Sequence, residues 1–181
     1  DGVTKIDKYA LRNCKYLTEV VIPDTVKSIG DFAFAGCTGL KNIVLSEAVD
    51  RINEGVFSNC TGLTSIEIPS HIKAIYPEAF NGCTSLSSVK LNDGLEVIGY
   101  RAFTGTAITE ITIPKTVWMM AFYYYSNDDE TEAYYSSRYD TSAFDGANKL
   151  KKVVFADGVT KIDKYALRNC KYLTEVVIPD T

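Results

Sequence analysis

The chain has 181 residues, 46% of them hydrophobic, and 19 basic against 23 acidic side chains for a net charge of −4. No apolar run approaches the roughly 18–20 residues that a membrane span needs, and a mean hydropathy of −0.04 is that of a soluble, globular sequence. No basic stripe is present for phosphate contacts, which argues against nucleic-acid binding.

Residues 1–25, DGVTKIDKYALRNCKYLTEVVIPDT, recur letter for letter as residues 157–181. Folding constraint does not force identity on exposed positions, so this is a copied unit with an offset of 156 residues from Asp1 to Asp157. We read the chain as a window on a longer tandem array, or as an engineered overlap that represents both ends of one unit. Nothing at either end reads as a polar capping repeat, which a solenoid normally uses to keep its terminal coils from docking onto others.

A shorter period lies inside the long one. From Leu17 the repeats start near residues 17, 40, 63, 86, 108, 150 and 173, with lengths of 23, 23, 23, 22, 42 and 23 before the last, partial one. Periods of this size signal solenoids. Each repeat opens with L-x-x-[VI]-x-[ILF], as in Leu17/Val20/Ile22, Leu63/Ile66/Ile68 and Leu150/Val153/Phe155. The last two members of each trio stand two apart, on one face of a predicted strand. Pro23, Pro69, Pro114 and Pro179 follow, and proline cannot donate to a ladder interior.

Next comes a second apolar pair, Val26/Ile29, Val49/Ile52, Ile72/Ile75, Leu95/Ile98, Val117/Met120 or Val159/Ile162. An aromatic anchor closes the repeat at Phe34, Phe57, Phe80, Phe103 and Phe144, with Leu167 as the exception. One 23-residue unit cannot enclose so many apolar groups alone. Stacking solves this, and the expected fold is a repeat solenoid: a right-handed coil with a parallel β-sheet and internal columns of Leu, Ile and Phe. With strands about 4.8 Å apart, six coils rise on the order of 29 Å.

The five cysteines share one repeat position, Cys14, Cys37, Cys60, Cys83 and Cys170, where Thr106 and Ala147 stand in the other two repeats. No CxxC pair accompanies them, so the pattern predicts a small buried residue rather than a metal site or disulfides. His71, the sole histidine, falls in a turn after a predicted strand and reads as a surface residue.

The outward strand positions, among them Glu19, Asn42, Ser65, Ser88, Glu110 and Lys152, are small or charged and include no aromatic. Binding hot spots favour Tyr, Trp and Arg, so this face is not the expected ligand surface. The 42-residue repeat is the better candidate. Relative to its neighbours it carries 19 extra residues, about 121–139, AFYYYSNDDETEAYYSSRY. Five acids against Arg138 within 121–140 account for the chain's whole net charge of −4. AFYYY and EAYYSSRY are β-prone runs around the turn-forming Ser126-Asn127-Asp128-Asp129, which predicts a hairpin. Six of the twelve tyrosines lie here, and Tyr with Ser, Asn and acids is a composition suited to recognition. The candidate binding residues are Trp118, Tyr123, Tyr124, Tyr125, Asp128, Asp129, Glu130, Tyr134, Tyr135 and Tyr139. The same hairpin could equally serve to cover the flank of the coil. Calcium at Asn127–Glu132 is not expected, because the D-x-D-x-D-G spacing is missing.

Taken together, L-x-x-I-x-I-P-x-x-[VIL]-x-x-I-x-x-x-A-F-x-x-C-x-x resembles the BspA-type, or Treponema pallidum-type, leucine-rich repeat. The resemblance covers every repeat and departs only at 121–139. It implies a surface or secreted protein of the kind that bacteria and some protists use in adhesion to host proteins or other cells. No nucleophile elbow, phosphate loop, HExxH or dinucleotide fingerprint appears, so neither catalysis nor a cofactor is expected. Two readings remain open. In one, a cell-surface protein binds protein or glycan on host or neighbouring cells through the insertion. In the other, tandem 156-residue units self-associate into fibres, with insertions making contacts between rods.

Overall fold

The computed structural model describes residues 2–126, 133–136 and 142–180, with the backbone alone described at 121–126 and 133–136. The strands are β1 (Lys5–Ile6), β2 (Glu19–Val21), β3 (Ser28–Ile29), β4 (Asn42–Val44), β5 (Arg51–Ile52), β6 (Ser65–Ile68) and β7 (Ala74–Ile75), followed by β8 (Ser88–Leu91), β9 (Val97–Gly99), β10 (Glu110–Ile113), β11 (Met119–Ser126), β12 (Ala133–Ser136), β13 (Lys152–Phe155) and β14 (Glu175–Val177). No helix occurs among the described residues, and the strands stack as a parallel solenoid of about seven coils.

The L-x-x-[VI]-x-[ILF] segments form the first ladder. β2 pairs with β4, β6 with β8, and β10 with β13 and then β14, all parallel. Alternation along each strand follows the pleat: in β6, Ser65 and Glu67 are exposed while Ile66 and Ile68 are buried. The second apolar pair does more than the sequence pattern suggests. It forms a ladder of its own, in which β5, β7, β9 and β11 pair in parallel and β1 pairs with β3. Strands of two residues leave no readable period, so only the stacked structure reveals them.

A third column runs through the aromatic turn. The Phe34, Phe57, Phe80 and Phe103 amides donate to the carbonyls of Val56, Ala79, Ala102 and Ala143 in the next coil. Their rings, with Phe144, are fully buried and pile in one file at centroid spacings of 5.5–5.8 Å. Offset stacking of this kind adds to the burial of aromatic area. Beside it, the cysteine position does more than fill a small space. The Cys60 thiol donates to the Phe34 carbonyl at 3.2 Å and the Cys83 thiol to the Phe57 carbonyl at 3.1 Å, each one coil back. Thr106 and Ala147 are therefore not equivalent substitutes. The Thr106 hydroxyl turns to Phe103 of its own coil at 2.8 Å, and alanine has no donor to offer. No disulfide joins the cysteines.

The turn also needs a left-handed residue immediately before the cysteine position, filled by Asn13, Gly36, Asn59, Gly82, Gly105, Gly146 and Asn169 at φ of 58–74°. Asn and Gly are the residue types that visit this region readily. Where Asn59 precedes Gly82 in the stack, its side chain occupies the space that a Cβ on Gly82 would need.

The duplicated segment provides an internal control on what stacking contributes. Ile22 is 3% exposed but its copy Ile178 is 61% exposed. On the opposite face the order reverses: Ala10 is exposed and its copy Ala166 is buried. Lys5–Ile6 is a strand, whereas the identical Lys161–Ile162 is not. One copy is covered by the coil after it, the other by the coil before it, so the unit accepts a neighbour on each face.

Candidate binding surface

The predicted hairpin is present. β11 continues the second ladder at Met119 and Met120, shifts register before Phe122, and then turns to pair antiparallel with β12. Tyr124 stands opposite Tyr135 and Tyr125 opposite Tyr134, with Tyr123 opposite Ser136. Asp128, Asp129, Glu130 and Tyr139 lie outside the described residues. The core runs past the insertion uninterrupted: Glu110 pairs with Lys152 across it, and the Phe103 and Phe144 rings stack at 5.5 Å. The chain thus leaves the coil along its second ladder in β11, and from Ser142 it lies in the aromatic turn with the inner columns undisplaced.

Trp118 sits at the base of the hairpin and is 48% exposed. It belongs to a vertical row with Asp50, Lys73 and Glu96, the residues that precede β5, β7 and β9. The amides of three of them donate to the carbonyl one coil back: Trp118 to Glu96 at 3.0 Å, Glu96 to Lys73 at 2.8 Å and Lys73 to Asp50 at 2.7 Å. The neighbouring outward row is Arg51, Ala74, Val97 and Met119. Ala74 is the small member, and its position opens a trough of about 200 Å³ lined by Asp50, Arg51, Lys73, Tyr76, Glu96 and Trp118, with Ala74 and Val97 beneath.

The polar walls of the trough are held in place. The Arg51 guanidinium donates to Asp50 at 2.8 and 3.2 Å and to the Tyr76 hydroxyl at 3.3 Å, and its cationic carbon lies 5.9 Å from the Tyr76 ring. The hydrogen bond from Arg51 holds the Asp50 carboxyl below its ordinary range. Lys73 and Glu96 lie 3.9 Å apart. The structure places Trp118, a candidate from the sequence, beside Asp50, Arg51, Lys73, Tyr76 and Glu96, which the sequence did not single out and which come from three different repeats. Reading the repeats as vertical columns would have shown a Trp standing where its counterparts are Asp, Lys and Glu.

Farther along this flank Glu54 is partly buried, and desolvation followed by the nearby Asp31 and Glu78 raises its carboxyl to about 7. The outward face of the first ladder, by contrast, is a mosaic of exposed ion pairs. Lys90 meets Glu67 at 2.7 Å, and Lys152 lies between Glu110 at 3.7 Å and Glu175 at 3.2 Å. Exposed pairs of this kind contribute little energy, and no aromatic stands among these outward positions. His71 corrects the expectation of a plain surface residue. It is half-buried with Nδ1 2.9 Å from the Glu47 carboxylate, because the turn folds it against the preceding coil, and its Nε2 has no partner among the described residues. No group of three or more His, Cys, Asp or Glu among the described residues could hold a metal ion. No helix there is long and apolar enough to cross a membrane.

With seven stacked registers and the aromatic file in view, comparison with known proteins is decisive for the family. The BspA type leucine rich repeat region matches residues 4–132 and 136–181 in six copies. The chain belongs to the BspA-type leucine-rich repeat family. Among solved structures it is similar to a leucine-rich repeat protein from Bacteroides ovatus, at 23% identity and a TM-score of 0.63 over 98% of this chain and 53% of that one. The Treponema pallidum leucine-rich repeat protein aligns at 22% identity and a TM-score of 0.56, over 98% of this chain and 64% of that one. A leucine rich cell surface protein from Faecalibacterium prausnitzii aligns at 27% identity and a TM-score of 0.51, over 97% of this chain and 65% of that one. The chain therefore spans between about half and two thirds of the length of these three relatives. A search of curated proteins returns no match.

Proposed function

We propose that this chain is the rigid part of a non-catalytic bacterial surface protein that binds protein or glycan on host or neighbouring cells. The hairpin flank is its binding side. The observation that carries this reading is the way the insertion is built in. It leaves through the second ladder while the first ladder and the Phe file close behind it, so the coil presents it without depending on it. Insertions in repeat proteins map to loops on one face, often the binding face. An extracellular location accords with the relative described as a cell surface protein. The test is removal of residues 122–138 with a short linker, followed by binding to immobilised extracellular-matrix proteins and glycans. The variant is expected to keep its circular dichroism spectrum and lose capture. Undiminished capture overturns the assignment.

A second reading, a filament of tandem 156-residue units, draws support from the duplicated segment. Its two copies are covered on opposite faces, so a further unit can follow without rearrangement. In that reading the insertions touch adjacent rods. A chain of two concatenated units should then form rods lengthened by about 29 Å per unit that align side by side in electron micrographs. Rods that stay dispersed at high concentration would count against it.

A further inference from the structure

We infer that the trough beneath Trp118 is a binding site for a neutral oligosaccharide, an assignment that rests on the hairpin flank being the binding side and gives that flank a ligand class. Three observations on the molecule lead there.

First, the charges around the trough cancel. Asp50 and Glu96 oppose Arg51 and Lys73, and each acid already has a basic partner within 3.9 Å. With its lining charges balanced and the acidic insertion next along the chain, the site offers no net positive charge to phosphate, sulfate or a uronic acid. It does offer fixed donors and acceptors side by side, the arrangement that vicinal hydroxyl groups satisfy. Second, the apolar contribution comes from an exposed indole at one end and the ring of Tyr76, which Arg51 covers at 5.9 Å. Only Ala74 and Val97 lie beneath, so the trough lacks the deep apolar pocket into which a protein partner would insert a hot-spot side chain. An indole beside polar groups instead matches the two-sided chemistry of a sugar ring, which shows aliphatic C–H groups on one face and hydroxyls at its edge. Third, the site is preorganised and elongated. Arg51 is held by both Asp50 and Tyr76, and the row Asp50, Lys73, Glu96, Trp118 climbs three coil steps, about 14 Å. That length takes a short linear chain of sugar rings rather than a single one.

The experiment uses the whole chain and a panel of immobilised neutral oligosaccharides of two to four hexose units, with sulfated and sialylated counterparts alongside. Two variants block the site differently. Trp118→Ala removes the platform. Ala74→Arg fills the trough from an outward position at which the preceding coil already carries an arginine, Arg51, so the core is untouched. The chain is expected to retain at least one neutral oligosaccharide, with retention unchanged as salt rises because no counterions are released. Each variant is expected to weaken it by about two- to tenfold, the scale of one lost aromatic stacking contact, at unaltered melting temperature. Failure to retain any neutral member, retention only of the anionic ones, or retention by both variants equal to that of the unmodified chain each overturns the proposal. The 122–138 deletion separates this outcome from the broader reading. Loss of matrix-protein capture with unchanged sugar loss in the two variants upholds both. Retained capture together with weakened sugar binding in Trp118→Ala and Ala74→Arg upholds the trough alone.

Discussion

Phe80→Ala tests the architecture at its centre. Phe80 is fully buried, with Phe57 at 5.6 Å on one side and Phe103 at 5.5 Å on the other. Truncating a buried phenylalanine costs about 3–5 kcal/mol through lost transfer energy and the cavity left behind. The two ring contacts are worth about 0.5–1.5 kcal/mol each beyond area, which puts this site at the upper end, about 4–5 kcal/mol. For a chain of this size each kcal/mol shifts the melting temperature by about 2–4 °C, so a fall of about 8–20 °C is expected by calorimetry. A linear array adds a second signature. Since each coil touches only its neighbours, hydrogen exchange should accelerate most in the coils on either side of Phe80, including the Phe57 and Phe80 amides that tie the column. Tyr9→Ala is the control, because Tyr9 stacks on Phe32 at 5.6 Å but remains exposed. If Phe80→Ala lowered the melting temperature no more than Tyr9→Ala, the vertical file would not be what holds the coils together.

Two further outcomes follow from burial and charge. Cys37, Cys60 and Cys83 are buried, and desolvation raises all three thiols, Cys83 to about 12. In native protein at pH 8 they should resist alkylation read by mass spectrometry, while the half-buried Cys14 reacts first and Cys170, whose thiol desolvation also raises, follows it; early labelling of Cys60 would contradict this. Glu54, with its folded carboxyl raised to about 7 against 4.5 ordinarily, destabilises the fold above pH 7, and this penalty fades as pH falls through 7 toward 4.5. Because the group is only partly buried, screening reduces the effect to about 1 kcal/mol. Glu54→Gln should therefore raise stability at pH 8 in urea titrations and leave it unchanged at pH 4.5; the opposite pH order would refute the assignment.

Much of this molecule was legible as columns of letters. Recurrence of Leu, Ile, Phe and Cys at fixed spacing predicts the coil, its inner file and its cysteine column, and the two Tyr-rich runs around a turn predict the hairpin. That reading works because identical coils in identical surroundings must put like residues in like places. The two-residue strands of the second ladder escaped it, since a pair of residues has no period to detect. The trough escaped it too, because Asp50, Arg51, Lys73, Tyr76, Glu96 and Trp118 are scattered over 69 positions of chain and meet only across coils.

The duplicated segment draws the boundary most sharply. Its 25 letters are the same at both places and set the same turn geometry, with Asn13 and Asn169 both at φ 62°. Yet Ile22 is covered and Ile178 open, Ala166 covered and Ala10 open. Local sequence determines the shape of a coil because backbone preferences and the order of apolar groups travel with the chain. Burial does not travel with it. Which of a coil's faces leaves water depends on the coil laid against it, and that only the stacked structure decides.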